Sequence, residues 1–504
     1  MRRRSREKSP TVFYIRELVV EDSKKKELRK IWAEENMEFL GNRVGMDKIR
    51  AKTSTGRYLV DFVNNSCIHG LNHLAAPHRH VLERFLAVLF IVGALGCLIA
   101  LSITFWNRYQ HQSTVVVLDH DYRSFSITKP ALIACPVEAA DPTSFPEVFK
   151  KYGIKDTPEA RNFFTFISNV TYDTMTSTPD YEEVHPDQWL RVLYDLRPVS
   201  ILYEGNAIKI PTWVVTERGI CLTFRNLVGV YYSIEYWLAN NWTVAHVEDE
   251  LHYYSYMDRT AKDIMSIKNH DIRVSLFHPN EVLEFKDDHY HVPPITLLSL
   301  TLIITETSSS ERVRKLSVPQ RECKYLQDGG LNMWPVYSYK MCILECRYDI
   351  IRKLCGCYPH FARPIPGVPT CNVTQMRCIG MNQNRIVNLK PHTLSKCGCI
   401  SNCDTTFYTT AEFNYHYLKA GSPKDRITIV SIQFPTDKYH REEFFGLNNF
   451  LASVGGAAGL FLGASVLSFV EIFYYATLRL FWYRVNLHRK RKPKKSDSTI
   501  LHDN

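Results

Sequence analysis

The chain has 504 residues, 45% of them apolar and 23% charged, with a formal net charge of +10; it is long enough to bury a sizeable core and too apolar for a disordered chain. Residues 1–84 carry 18 Lys and Arg against 11 Asp and Glu, and residues 484–504 carry 7 against 2, leaving 37 basic and 39 acidic residues between them. The basic excess therefore belongs to the two ends, and no nucleic-acid-binding surface is needed to explain it.

The N-terminal stretch MRRRSREKSP is basic and lacks the apolar core of a cleavable signal peptide. The first apolar run, Phe85 to Trp106, has 22 residues without a charge, enough to cross a hydrocarbon layer of roughly 30 Å. It is expected to be a membrane span and the export signal as well. Twelve of the fourteen cysteines follow it, between Cys135 and Cys403, the usage of an oxidising compartment. Three glycosylation sequons share that stretch, at Asn169, Asn241 and Asn372. A fourth, Asn64-Asn65-Ser66, precedes the span and is expected to stay unmodified.

Strand-like segments rich in β-branched and aromatic residues occur at Thr212–Phe224, Ile295–Glu306 and Ile427–Phe434. Ser338 to Lys353 predicts a helix, with Cys342, Cys346, Ile350 and Lys353 on one face. The class is α+β. Cys342 and Cys346 at i and i+4 on a helix lie about 6 Å apart, and so would Cys397 and Cys399 on an extended strand. Two rungs fit between them, and spacing leaves parallel and antiparallel pairing open. A zinc reading of Cys355-Gly-Cys357 and Cys397-Gly-Cys399 is disfavoured, because structural zinc prefers two to four intervening residues; no structural metal is expected.

The second apolar run, Phe444 to Tyr483, has only Glu471 and Arg479 as charges and concentrates small residues at Gly455, Gly456, Ala457, Ala458 and Gly459, then at Gly463-Ala464-Ser465. Such residues let helices approach closely or mark a place where the backbone opens. Glu471 is expensive in lipid unless it faces a polar cavity or a partner. In a symmetric oligomer, carbonyls and hydroxyls at Gly463 to Ser465 would replace part of a cation's hydration shell, with a ring of Glu471 carboxylates attracting it. The competing reading is a small-residue packing face beside a buried, protonated Glu471. The tail His488 to Lys495 (HRKRKPKK) suits anionic inner-leaflet lipids.

These features divide the chain into a cytoplasmic N-terminal region (1–84), a first span (85–106), an extracellular domain (107–443) with its cysteine-rich part at 323–403, a pre-pore segment and second span (444–483), and a basic cytoplasmic tail (484–504). The protein is expected in the plasma membrane, with both termini cytoplasmic.

The sequence resembles the degenerin/epithelial sodium channel family, and within it the insect pickpocket-type subunits. The resemblance runs from about Ser66 to Arg484. It is carried by Ser66-Cys67-Ile68-His69-Gly70, Pro130-Ala131-Leu132-Ile133-Ala134-Cys135, Gly219-Ile220-Cys221-Leu222-Thr223-Phe224 and Pro319-Gln320-Arg321-Glu322-Cys323. It continues through Cys342-x3-Cys346, Cys355-Gly-Cys357 and Cys397-Gly-Cys399-x3-Cys403 to the glycines of the second span and Glu471. It implies a trimer, homomeric or with related subunits, whose ectodomain is shaped like a clenched hand, the cysteine-rich part bracing its thumb. It also implies the bridges Cys135–Cys221, Cys323–Cys403, Cys342–Cys399, Cys346–Cys397, Cys355–Cys378 and Cys357–Cys371.

By the same resemblance Gly463, Ala464 and Ser465 form a selectivity filter for sodium, which is the permeant ion rather than a cofactor. His69 and Gly70 support gating, and Ala452 is where bulky side chains hold family channels open. The chain departs from the family at Lys129, where phenylalanine is usual. It has no cysteine pair between Pro136 and Cys221 of the kind the acid-sensing branch carries, so proton gating is not implied. Gln320 stands where that branch places tryptophan.

The resemblance implies an amiloride-sensitive sodium channel gated by an extracellular chemical or mechanical stimulus. A two-pass lipid scavenger receptor and an ATP-gated trimeric channel share the topology, but the first needs neither the glycines nor Glu471 and the second lacks this cysteine pattern. A membrane-tethered enzyme is disfavoured, since no nucleophile elbow, zinc-protease helix or phosphate loop is present. Ectodomain histidines such as His185, His278 and His291 have no partner spacing that makes a site.

Overall fold

The computed structural model describes residues 54–66, 68–75, 80–121, 123–198, 203–204, 211–239, 244, 251–256, 262–268, 271–293, 295–417, 425–435 and 437–491. Two compact units divide it: Arg108–Gly446 forms one, and the segments up to Asn107 and from Leu447 onward form the other.

In the Arg108–Gly446 unit the centre is the 14-residue strand Thr296–Ser309. It pairs antiparallel with Thr405–Tyr417 on one side and parallel with Asp425–Gln433 on the other. Its apolar alternation sends Leu298, Leu300, Leu302 and Ile304 inward, as a strand with one buried face requires. These side chains meet Leu132, Ala134, Leu222, Phe224, Ile272 and Val274 from a second, five-stranded sheet. That sheet runs Tyr290–Val292, Ile272–Phe277, Ala131–Pro136, Gly219–Phe224, Thr212–Thr216. The segment 212–224, read as one strand, is a hairpin of two.

A larger core gathers the helices Phe145–Tyr152, Pro158–Ser168, Pro186–Leu196, Tyr339–Cys355 and Val373–Met381. Helix Tyr339–Cys355 lies one residue from its expected start, but its residues Met341 to Tyr348 are buried all round rather than on one face, and Lys353 is exposed. It stops at Gly356, whose φ of 76° is the left-handed conformation that glycine adopts without steric cost.

Six disulfides tie this unit together: Cys135–Cys221, Cys323–Cys403, Cys342–Cys399, Cys346–Cys397, Cys355–Cys378 and Cys357–Cys371. The first joins neighbouring strands one step past the Ala134/Leu222 pair. Cys397-Gly398-Cys399 is not the extended strand that the spacing invites: Cys397 ends the helix Pro391–Cys397 and Gly398 takes a φ of 66°. Each bridge contributes about 2–4 kcal/mol by restricting the unfolded chain.

Ion pairs buried between elements fix the orientation of the long helix. Arg347 is 1% exposed and donates to Glu217 at 2.5 Å and to Glu284 at 2.6 Å. Glu217 also accepts the Tyr172 hydroxyl at 2.7 Å and the Phe285 N–H at 3.0 Å. Glu281, near the start of the helix, receives the Asn402 side-chain amide. Burial is the main cause that pushes its carboxyl up to about 7, with Lys340 acting in the opposite sense. His278 is buried too; its ring accepts the Asn280 N–H at 3.1 Å and desolvation lowers it to about 4, so it is a neutral core residue. His185 caps the helix Pro186–Leu196.

The helix Val81–His111, all but its last four residues outside this unit, has 31 residues and is long and apolar enough to cross a membrane. It extends past the run Phe85–Trp106 at both ends. The second apolar run is not one straight helix: Leu447–Leu462 and the helix from Val466 are bent by 76°, and they make a second crossing only if taken together as one broken span.

Two outcomes follow for stability. Arg347→Met strands Glu217 without its partner and is expected to cost about 3–5 kcal/mol. Lys151→Met, which removes an ion pair to Asp195 with the lysine 63% exposed, is expected to change stability by less than about 1 kcal/mol. Denaturant midpoints of the detergent-solubilised chain test both. Because the folded state raises Glu281 from 4.5 to about 7, it holds that proton more tightly than the unfolded chain does. Its contribution is full below pH about 4.5, falls as pH rises toward 7 and is level above. The same midpoints measured across that range should lose this slope in Glu281→Gln.

Candidate functional site

The residues singled out around the second apolar run meet within one unit. Helix Leu447–Leu462 holds Gly455, Gly456, Ala457, Ala458 and Gly459 without interruption, so the small-residue cluster is helical and does not open the backbone. Ala452 is exposed on the same helix. The opening comes at the next cluster. Gly463 has φ 58°, a left-handed conformation that costs other residues roughly 1–2 kcal/mol. Its N–H bonds the Gly459 carbonyl at 3.0 Å, and the Ala464 N–H reaches the Ala458 carbonyl at 3.2 Å.

A new helix, Val466–Tyr474, starts at once. Ser465 is its N-cap: its hydroxyl accepts the Ser468 N–H at 3.4 Å, and its own N–H donates to the Ser468 hydroxyl at 3.1 Å. The Ser465 side chain therefore has a structural task besides any contact with an ion. Glu471, half-buried, lies six residues further on, about 9 Å along the helix axis.

The His69-Gly70 pair sits on this break. The His69 N–H donates to the Leu462 carbonyl at 3.0 Å, taking up one of the acceptors that a helix end leaves free. A Cβ on Gly463 would collide with the His69 ring. Gly70, at φ 91°, lies so close to the Val81–His111 helix that a Cβ on it would come within 3.1 Å of Ile91. The loop is thus held between the two long apolar elements, beside a cleft of about 550 Å³ that also takes in His73, Glu83 and Phe461. Further along, the Trp106 and Phe450 rings meet edge to face at 5.6 Å.

Sequence reasoning missed two residues. Tyr58 and Asp61 lie on the helix Ser54–Asn65 and contact Tyr475 and Arg479. The available signal was the face formed by Tyr58, Asp61 and Phe62 at i, i+3 and i+4, together with an arginine unpaired in an apolar run.

The other sequence-derived residues fall in the Arg108–Gly446 unit. Asn169 ends the helix Pro158–Ser168 and is exposed, its amide donating to the Thr165 carbonyl at 3.1 Å. Asn372 is the N-cap of Val373–Met381, its side-chain oxygen accepting the Gln375 N–H at 2.9 Å. Asn241 and Lys492 to Lys495 of the basic tail lie outside the described residues. Gln320 donates to the Tyr109 carbonyl at 3.4 Å, and the Arg108 guanidinium lies 5.0 Å from both the Phe444 and the Phe445 ring.

The family profile "Amiloride-sensitive sodium channel" matches residues 62–475. Pickpocket protein 19 of Drosophila melanogaster is 22% identical over 81% of this chain and 88% of its own length. Sodium channel protein Nach of Drosophila virilis is 31% identical over 36% of this chain and 50% of its own length. Acid-sensing ion channel 2 of Mus musculus is 20% identical over 82% of this chain and 85% of its own length.

A stability cycle tests the seat of His69. Gly463→Ala is expected to lower the unfolding temperature through both φ strain and the His69 collision. In His69→Ala/Gly463→Ala the collision is gone, so the double variant should be more stable than the sum of the single losses by about 0.5–3 kcal/mol. Thermal unfolding of the detergent-solubilised chain reads this; simple additivity would mean that the two residues do not meet.

Proposed function

We propose, from the premise that the chain belongs to the amiloride-sensitive sodium channel family, that it is one subunit of a trimeric, sodium-selective, amiloride-sensitive plasma-membrane channel. Both ends lie in the cytoplasm, and an extracellular chemical or mechanical stimulus acts on the disulfide-braced domain. The single observation that carries the reading is the break at Gly463-Ala464-Ser465 in the middle of an apolar run, with the His69 loop seated on it. Non-helical backbone at such depth is tolerated where it is buried in protein or lines a water-filled path.

In this reading the carbonyl end of Leu447–Leu462 presents its partial negative charge at the break, which favours a cation there. Gly463, Ala464 and Ser465 form the constriction, and three Glu471 carboxylates collect the ion on one side of it. Ala452 occupies the gate on the other side. His69 and Gly70 brace the constriction, Gly70 by close approach and His69 by its bond to Leu462. The partners are two further subunits, identical or related, and the bilayer; the basic tail meets anionic inner-leaflet lipids. Two of the named relatives, sodium channel protein Nach and acid-sensing ion channel 2, are ion channels by name. A lipid scavenger receptor has no use for the break or for Glu471.

Whole-cell recording from cells expressing the chain, alone and with a related subunit, tests this. A sodium-carried, amiloride-blocked current should appear, and it should grow in Ala452→Val, whose bulkier side chain opposes closure. Glycans on Asn169 and Asn372 but not on Asn64 should report the orientation. Surface-delivered, glycosylated protein that conducts in neither form would overturn the channel reading.

A further inference from the structure

Arg479 is one of only two charges in the second apolar run, and the pore reading leaves it without a task. It ends a single π turn, Tyr475–Arg479, set between the helices Val466–Tyr474 and Leu480–Arg491. In a π turn the hydrogen bonds run i to i+5, so the ladder shifts register there and the helix is predisposed to bend. The helix Ser54–Asn65 lies against this turn. The Tyr58 hydroxyl donates to the Tyr475 carbonyl. Asp61 accepts from the Arg479 guanidinium at 2.7 Å. The Tyr58 ring lies 4.9 Å from that of Tyr483, and Phe62 meets Tyr475 edge to face at 5.2 Å. Tyr58, Asp61 and Phe62 share one helical face, so a single short helix carries all four contacts.

We propose that Ser54–Asn65 is a releasable latch on the π turn, with Tyr58 and Asp61 as positioning residues for the lower part of the second span. The proposal rests on the channel reading for its functional consequence. Among the described residues, the stretch from Ser54 to Gly70 touches the second span at the break, at Leu462, and at the π turn with the residues just beyond it. Glu471 lies between these two points. With the latch engaged, the segment that carries Glu471 is held at both ends; with it released, the π turn is free to bend and that carboxylate moves relative to the constriction. The Asp61 and Arg479 side chains are 43% and 41% exposed, so their pairing shifts an equilibrium by at most about fivefold. That is strong enough to bias two states and weak enough to be reversed.

The test has two arms, both on the full chain. In recordings at matched surface density, Asp61→Arg and Arg479→Asp should each change open probability by up to about fivefold, and the combined swap should return it toward the wild-type value. Tyr58→Phe, which keeps the ring and loses the bond to the carbonyl, should move it in the same direction by less. The second arm needs no current. Asp61→Cys/Arg479→Cys, with Cys67 and Cys97 changed to Ser, should yield an intrachain crosslinked peptide with a short bifunctional thiosulfonate in native membranes, and neither single cysteine should. A crosslink without current from any form upholds the latch and counts against the conducting reading. A current without the crosslink, or a swap no better than the worse single variant, overturns the latch.

Discussion

A helix that ends inside an apolar stretch has to place its last carbonyls somewhere, because the surroundings offer no water to take them. In this chain the problem is met at Leu462, and most of what is distinctive about the membrane-type unit follows from how it is met. Gly463 turns the chain through a left-handed conformation, Ser465 restarts the helix as its cap, and the His69 N–H takes the Leu462 carbonyl. That last bond comes from a loop nearly four hundred residues earlier in the chain. The break in the second apolar element is therefore stabilised by the segment that precedes the first.

The Arg108–Gly446 unit follows a different logic. Six covalent bridges, two face-packed sheets and the Arg347 cluster with Glu217 and Glu284 leave little freedom for internal rearrangement. Breaking a buried pair of this kind is far more costly than rearranging an exposed one. Compliance in the chain is to be sought in exposed pairs, left-handed turns and, in the other unit, the π turn.

What could be read in advance depended on whether the signal was local. The charge-free run of Phe85–Trp106 lies within one helix, and the segment rich in β-branched residues at Ile295–Glu306 forms a strand from Thr296 onward, since each signal is carried by residues adjacent in the chain. The helix at Ser338–Lys353 was legible as a helix but not in its surroundings, because a spacing of apolar residues cannot reveal that polar neighbours such as Glu345 and Arg347 are buried as well. The thiols of Cys397 and Cys399 fit a strand by spacing; a helix end followed by a left-handed glycine places them within reach of the same helix by another route. Glycine content pointed to Gly455–Gly459 as strongly as to Gly463, yet the helix breaks only where His69 supplies a donor. Tyr58 and Asp61 left the weakest trace. Their partners are 417 and 418 residues away, and one sequence holds no record of which distant residues meet.

The place of Asn372 in the fold bears on how glycosylation of its sequon is to be tested. Its side-chain oxygen caps the helix Val373–Met381 by accepting the Gln375 N–H, while its own N–H holds the Gln375 side chain at 3.0 Å. Sugar attachment uses the other atom of that amide, the nitrogen, so one side chain can terminate a helix and carry a glycan at once. Replacing the asparagine removes both functions together, and a defect in such a variant cannot be assigned to either. Changing Thr374, which is exposed within the helix, abolishes the sequon and leaves the cap in place, which makes it the cleaner way to ask what the carbohydrate alone contributes.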